Sequence, residues 1–527
     1  MKQVRRAIAG AALTGLFLAG SDAAGQARFD ILIRGARILD GTGNPWVRGD
    51  IGIVKDRITA VGRLSDATAA RVIEAADRYV TPGFIDVHSH AGPGLEAPAL
   101  AAALPLLAQG ITTVVVNPDG GGAVDLAAQR RRLTDARPGV NVALLAPHGS
   151  IRQQVIGMAD RPATATELER MRGLVRAAME AGAFGLSSGP YYAPGSYAST
   201  DELIELARVA AAAGGVYTSH IRDEGDYTVG LLGAIDEVIR IAEVAGLPGI
   251  VTHIKALGPN VWGFSSPAIR RIERARARGV EVFADQYPYD ASSTGLSAAL
   301  VPRWAEAGGD TAMRRRLADP VEGERIRQAM VANLVRRGGP ERQVIGRHRP
   351  DPSIEGKSLA EIASLRNTTP IEAAVRILAA GGAGIVSFNM DEADIAAFMR
   401  QPWTMTSSDG TLVPMNEGVP HPRAYGTFPR KLRRYVVERR VVSLEAAVRS
   451  MTSLPASVFR LADRGVIRPG AKADLLVFDL DRLRDPTDFQ RPHRLAEGIG
   501  IVLVDGGIAY EDGRAGSGRF GSVLSRR

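Results

Sequence analysis

From Thr81 onward, short apolar runs alternate with longer helical stretches, and this alternation restricts the possible folds more than any other feature of the chain. The runs include Gly83–Val87, Thr112–Val116, Val140–Leu145, Val216–Ser219, Gly249–His253, Val280–Ala284 and Ile385–Phe388. Helical stretches lie between them, at Ala99–Gln109, Thr164–Ala181, Thr200–Ala213, Gly230–Ala245 and Pro267–Arg278. Strand–helix alternation places the strands parallel in one sheet, and about eight repeats argue for a closed barrel. Ala307–Asp351 is polar and helical and reads as an excursion from that barrel.

The flanks have a different texture. Arg28–Val80 is made of short β-rich runs ("FDILIRGARILD", "GDIGIVKDRITAVG", "ARVIEAADRYV") punctuated by Gly and Asp, as hairpin-connected strands require. The same texture returns after Leu461, in "RGVIRPGAKADLLVFDL" and "GIGIVLVDGGIAYEDGR". The expected organisation is a TIM-like (β/α)8 barrel over residues 81–460, beside a small β-domain built from residues 28–80 and 461–527.

Residues 1–27 read as an export signal. Lys2, Arg5 and Arg6 precede an apolar run from Ala7 to Gly20, and small residues follow around Ala23–Ala27. The run is shorter than the ~20 residues that cross a bilayer, so export to the periplasm or beyond is expected, not a stable membrane anchor. The chain has no cysteine, which removes disulfides and thiolate metal ligands from consideration. Its formal charge is +8, and +6 without residues 1–27, which carry Lys2, Arg5, Arg6 and Asp22. The Arg-rich stretches Arg130–Arg132 and Arg314–Arg316 are far apart, so no basic face for nucleic acid is expected. Oligomeric state is not legible.

"PGFIDVHSH" carries the sharpest local signal. His88 and His90 are two apart at the end of an apolar strand, so both imidazoles lie on one face. At the carboxyl end of a first barrel strand that face points into the mouth, where barrel enzymes place their chemistry. His220 in "GGVYTSHIRDE" and His253 in "GIVTHIKALG" end apolar runs in the same way. Four of the eight histidines therefore converge on one mouth, which fits metal ligation better than four packed core imidazoles. Asp409 of "WTMTSSDG" closes a further run. There it is either a turn residue before Gly or a carboxylate that binds metal and shuttles a proton.

With these residues in place, the chain resembles the N-acyl-D-amino-acid deacylase (D-aminoacylase) family of the amidohydrolase superfamily. The resemblance runs through "PGFIDVHSH", "QGITTVVV", "GAFGLSSGPYYAPGSYAST", "GGVYTSHIRDEG", "THIKALGPNVWG", "DQYPYDASST", "HPRAYGTFPR" and "LPASVFRLADRGVIRPGAKADLLVFD". It implies a (β/α) barrel with a β-sandwich formed by both chain ends. It makes His88, His90, His220 and His253 ligands of one or two Zn²⁺ ions, and makes Asp409 the catalytic acid/base lying against the metal. It further implies that Lys255, Tyr287 and Arg423, with Ser293 beside them, hold a substrate carboxylate; Tyr289 is the alternative to Tyr287.

The chain departs from the family at one position. Relatives carry a metal-bridging Cys after the second strand, in a segment resembling "TTVVVGNCG". This chain reads "TTVVVNPDGGG", with Asp119 at that place. A carboxylate is a harder ligand than a thiolate, so Asp119 as a bridge opens the site to Mn²⁺ or another divalent ion as well as zinc. The alternative is a turn Asp in a Gly-rich loop.

The implied activity is hydrolysis of N-acyl-D-amino acids to a carboxylate and a free D-amino acid. Rival expectations are an exported hydrolase of dipeptides or peptidoglycan fragments, a cyclic-amide hydrolase, and a secreted binding protein that has lost catalysis.

Overall fold

A computed structural model describes residues 28–516 and 518–526; the expected export signal lies outside them. The first five strands are β1 (Arg28–Ile38), β2 (Val47–Val54), β3 (Arg57–Gly62), β4 (Thr68–Glu74) and β5 (Tyr79–Pro82). A single residue, Gly83, separates β5 from β6 (Phe84–Asp86), the first barrel strand. A side chain at Gly83 would meet Thr112 at 2.2 Å, so only glycine lets this junction approach the neighbouring strand.

The barrel continues through β7 (Ile111–Val116), β8 (Asn141–Leu144), β9 (Ala146–Pro147), β10 (Gly185–Ser188), β11 (Val216–Ser219), β12 (Gly249–Val251) and β13 (Val282–Gln286). An inserted sheet follows, made of β14 (Ser292–Gly295), β15 (Gln343–Arg347) and β16 (Gly384–Ser387), before β17 (Thr404–Thr406) returns to the barrel. β8 and β9 flank Leu145 as one bent staves' length of chain, β8 pairing β7 and β9 pairing β10. Every barrel ladder is parallel. The last stave meets the first through bonds from Ser408 N to Asp86 Oδ1 (2.7 Å), from Asp409 N to His88 O (2.9 Å) and from His90 N to Gly410 O (2.9 Å). This is the expected (β/α)8 architecture.

Most barrel strands are buried on both faces, which is why they read as unbroken apolar runs without alternation. Helices cover them with one apolar face each. In Gly230–Ala245, Leu231, Ile235, Val238, Ile239 and Ile241 are buried, each contributing about 1.5–3 kcal/mol. Caps fix where helices begin: Ser199 accepts from Glu202 N, and Thr164 and Glu167 form a reciprocal capping box.

Both chain ends build one sheet, as expected. β18 (Leu475–Phe478), β19 (Ile499–Val504), β20 (Gly507–Glu511) and β21 (Arg514–Ala515) complete a nine-stranded sheet of order β21-β20-β19-β18-β5-β1-β2-β3, with β4 on β1. β18 runs antiparallel to β5, with Leu475 opposite Pro82.

Three details differ from the sequence expectation. The run Ile385–Phe388 supplies β16, which is antiparallel to β14 and β15 and is not a barrel stave. The excursion is larger than Ala307–Asp351: it has its own apolar core, from Leu296 to Ile385, separate from the barrel's. The stave β10, "GLSS", escaped notice because half of its residues are serines.

Candidate metal centre

Six side chains converge at the carboxyl ends of the staves. His88 Nε2 lies 3.3 Å from Asp119 Oδ1 and 3.7 Å from Asp409 Oδ1. His90 Nε2 lies 3.3 Å from Asp119 Oδ2 and 3.2 Å from Asp409 Oδ1. On the other side of Asp119, His253 Nε2 and His220 Nδ1 approach Oδ1 at 3.5 and 3.7 Å. Potential ligand atoms thus form two groups, His88–His90–Asp119–Asp409 and Asp119–His220–His253, each within 4.8 Å and sharing Asp119.

The chemistry of these atoms fits divalent cations. His88 Nε2, Asp119 Oδ1 and both nitrogens of His220 are buried without a hydrogen-bond partner among the described residues, an arrangement that folding alone disfavours. The field in the cluster also favours positive charge. Desolvation works against protonation of His90, but Asp119 and Asp409 outweigh it and hold that imidazole up to about 10. Burial is likewise overcome at Asp119, where neighbouring imidazoles hold the carboxyl well below its usual range.

The backbone contributes to the geometry. Asp119, His253 and Asp409 have φ of 55°, 36° and 51°, left-handed conformations that non-glycine residues seldom adopt. Such residues cost about 1–3 kcal/mol each and persist where the surrounding fold imposes them. Buried Asp285 supports one of them, accepting from His253 N at 2.9 Å and from Ser407 Oγ at 2.6 Å. Asp86 anchors another, through Ser408 N and Oγ.

Sequence reasoning missed Glu224. It is buried four residues after His220, with Oε1 3.0 Å from His253 Nδ1 and 2.5 Å from Lys255 Nζ. This carboxylate directs the Nδ1 edge of His253 away from Asp119 and leaves Nε2 facing it. Its signal was the acid in "SHIRDEG", but only the fold brings Lys255 and His253 to it. Burial disfavours the charged Lys255, yet Glu224 more than compensates and raises its pKa.

The four residues expected to hold a substrate carboxylate line the same cavity, of about 960 Å³, with Asp409, Asp119 and three of the histidines. Arg423 Nη1 is 2.7 Å from Asp409 Oδ2, and its guanidinium lies 4.7 Å from the centre of the Tyr287 ring. Lys255 Nζ lies 5.7 Å from the centre of the same ring, so one aromatic ring neighbours both cations. Burial opposes ionisation of Asp409, but Arg423 and His90 hold its carboxyl well below the usual range. Ser293 stands on β14 at the cavity wall, where its carbonyl meets Arg423 Nη2 at 3.5 Å. Tyr289 is directed elsewhere and donates to Asp485 Oδ2 at 3.2 Å.

Comparisons with known proteins agree with this geometry. A profile of the amidohydrolase family matches residues 71–510. An N-acyl-D-glutamate deacylase of Alcaligenes xylosoxydans xylosoxydans is 37% identical over 95% of this chain and 97% of its own. A D-aminoacylase of the same organism is 33% identical over 94% and 98%. Among solved structures, an N-acyl-D-glutamate deacylase from Bordetella bronchiseptica, complexed with zinc and a phosphonate mimic of the tetrahedral intermediate, superposes with a TM-score of 0.81. It shares 36% identity, over 95% of this chain and all of its own. A D-aminoacylase structure gives a TM-score of 0.81 at 33% identity, over 94% of this chain and all of its own.

Proposed function

The chain belongs to the amidohydrolase family, and from that premise we propose that it hydrolyses the amide bond of N-acyl-D-amino acids, releasing a carboxylate and a free D-amino acid. The observation that carries this reading is the arrangement of Lys255, Tyr287, Ser293 and Arg423 around one cavity with the metal-ligand cluster. An amino acid's α-carboxylate held by that set lies beside the groups that attack its acyl bond. Relatives named for the same reaction, matched over nearly their whole length, support it.

His88, His90, Asp119 and Asp409 would hold one divalent ion, and Asp119, His220 and His253 a second. Zinc fits this nitrogen and oxygen donor set, and the absence of any cysteine admits harder ions such as Mn²⁺. Such an ion, when bound, makes water a nucleophile at neutral pH and polarises the amide carbonyl. Asp409 takes the proton from the attacking water and returns it to the departing amine. Its pairing with Arg423 keeps it proton-free beforehand. A substrate carboxylate arriving at Arg423 competes for that guanidinium, which releases Asp409 to act as base only when substrate is in place.

Purified enzyme loaded with Zn²⁺ and offered N-acetyl-D- and N-acetyl-L-amino acids should release the D-amino acid. Release of neither overturns the reading, and a chelator should abolish turnover until metal is restored. Export is part of the same proposal, supported by the pattern Lys2–Arg6 followed by Ala7–Gly20. Amino-terminal sequencing of the protein from the periplasm or medium, expected to begin near residue 28, tests it.

A further inference from the structure

Of the ligand side chains at the mouth, Asp119 is the one that its surroundings grip least directly. His253 is tied to Glu224, and Asp409 to Arg423. The carboxylate of Asp119 has imidazoles as its only ionic neighbours among the described residues, and its Oδ1 receives no hydrogen bond from them. Where its two oxygens point is therefore decided by the backbone that carries them.

That backbone does not favour its own shape. Asn117 and Asp119 have φ of 63° and 55°, a left-handed conformation that costs non-glycine residues free energy. The groups that impose it come from the neighbouring staves. Ser187, buried on β10, donates from Oγ to Asn117 O at 2.6 Å, with Ala146 O further away at 3.4 Å, and accepts from Gly120 N at 3.2 Å. A hydroxyl has one proton to give and lone pairs to spare, so this single group spans Asp119, holding the chain on both sides of it. Further along, Gly120 O accepts from Ser150 N at 3.0 Å, and Gly122 N donates to Ser150 Oγ at 3.2 Å. Asn117 Nδ2 donates to Gln129 Oε1 at 2.7 Å and to Leu145 O at 3.2 Å. Packing closes the same side, since a Cβ at Gly189 would lie 2.3 Å from Asp119 O.

The next serine of β10 differs. Ser188 is equally buried, but its Oγ lies 2.6 Å from the Tyr217 hydroxyl and 3.1 Å from Ser219 Oγ. Adjacent strand residues project to opposite faces, so only one of the two hydroxyls reaches the Asp119 turn.

We propose that Ser187 is a positioning residue for the metal centre. Its hydroxyl fixes the turn at residues 117–120 so that Asp119 presents Oδ1 to His88, His220 and His253 and Oδ2 to His90. Without that hydroxyl, Asn117 O and Gly120 N lose their shared partner, and the turn relaxes to conformations that carry the carboxylate off its shared position. This rests on Asp119 as the ligand common to both groups of donors.

Zinc affinity is measured by chelator competition, and bound zinc by atomic absorption, for wild type, Ser187→Ala, Ser188→Ala and Asp119→Ala. Ser187→Ala should bind zinc about 10- to 100-fold more weakly, and Ser188→Ala less than about threefold more weakly. With an N-acetyl-D-amino acid, Ser187→Ala should lose turnover that added zinc restores, while KM stays within about twofold because the groups holding the substrate carboxylate are untouched. Unchanged affinity in Ser187→Ala beside a loss in Asp119→Ala overturns the proposal alone. Unchanged affinity in both removes Asp119 from the metal centre, and the proposal with it. Equal losses in Ser187→Ala and Ser188→Ala also overturn it, because damage to β10 then explains both. Ser187→Gly repeats the deletion if Ser187→Ala does not fold. The affinities do not depend on turnover, so a failure of the deacylase reading leaves them decisive.

Discussion

Two buried charged clusters lie at opposite ends of the barrel staves, and they solve the same problem differently. At the joint between barrel and end sheet, Asp474 accepts from Arg464, from Asn141 Nδ2 at 3.3 Å and from Asp505 N at 2.7 Å. Asp505 in turn accepts from Arg464 at 2.9 Å and from Ser522 Oγ at 3.0 Å. The charges there are satisfied within the protein. At the mouth, by contrast, His88, Asp119 and His220 leave polar atoms with no hydrogen-bond partner among the described residues. Complete pairing marks a cluster that holds the fold together, whereas incomplete pairing in a rigid setting marks one shaped for something that binds.

Each cluster can be broken separately. Asp409→Asn should lower kcat about 10²- to 10⁴-fold with little change in the circular dichroism spectrum. A residual rate near that of the wild type would remove Asp409 from the proton path. Asp119→Ala should weaken metal binding at least about tenfold and reduce the ions bound per chain, measured by atomic absorption after dialysis. Unchanged stoichiometry and affinity would leave Asp119 as a turn residue, and Asp119→Cys should shift preference toward zinc over Mn²⁺.

The joint should respond in the opposite sense. Arg464→Met leaves Asp474 and Asp505 without their shared cation, and should cost about 3–5 kcal/mol of stability by denaturant titration. Turnover per folded molecule should stay near the wild-type value. A loss of activity without a loss of stability would erase the distinction between the clusters.

The smallest effect concerns Lys431, a buried amine donating to Thr406 Oγ1 and Ser450 Oγ, both at 2.8 Å. Burial lowers its pKa from 10.5 to about 7. Between those values the unfolded chain holds a proton that the folded chain lacks, so this group makes stability rise with pH across that window. Below pH 7 its contribution is flat. Lys431→Met should flatten the slope, as followed by thermal melts from pH 7 to 10.

Much of the mouth was legible because metal ligation leaves a local trace. His88 and His90 sit two apart on one strand, and His220, His253 and Asp409 each end an apolar run. Glu224 left no comparable trace, since its partners His253 and Lys255 come from the next stave. β16 was assigned to the barrel because a short apolar run reads alike in a parallel stave and in an inserted antiparallel sheet. The joint of Arg464, Asp474 and Asp505 was invisible for a further reason, as charged residues near turns are usually solvated.

The lone glycine between β5 and β6 has a consequence for how the protein is made. His88 and His90 hang from a strand that continues one clamped by β18, a segment synthesised after the entire barrel. An emerging chain can pair β5 with β1 and β6 with β7 early, but the second edge of β5 stays open until β18 arrives. Contacts between such distant segments form slowly. Full clamping of the strand that leads into the first two ligands is thereby tied to completion of synthesis, and a chain ended before β18 would hold those histidines from one side of β5 only.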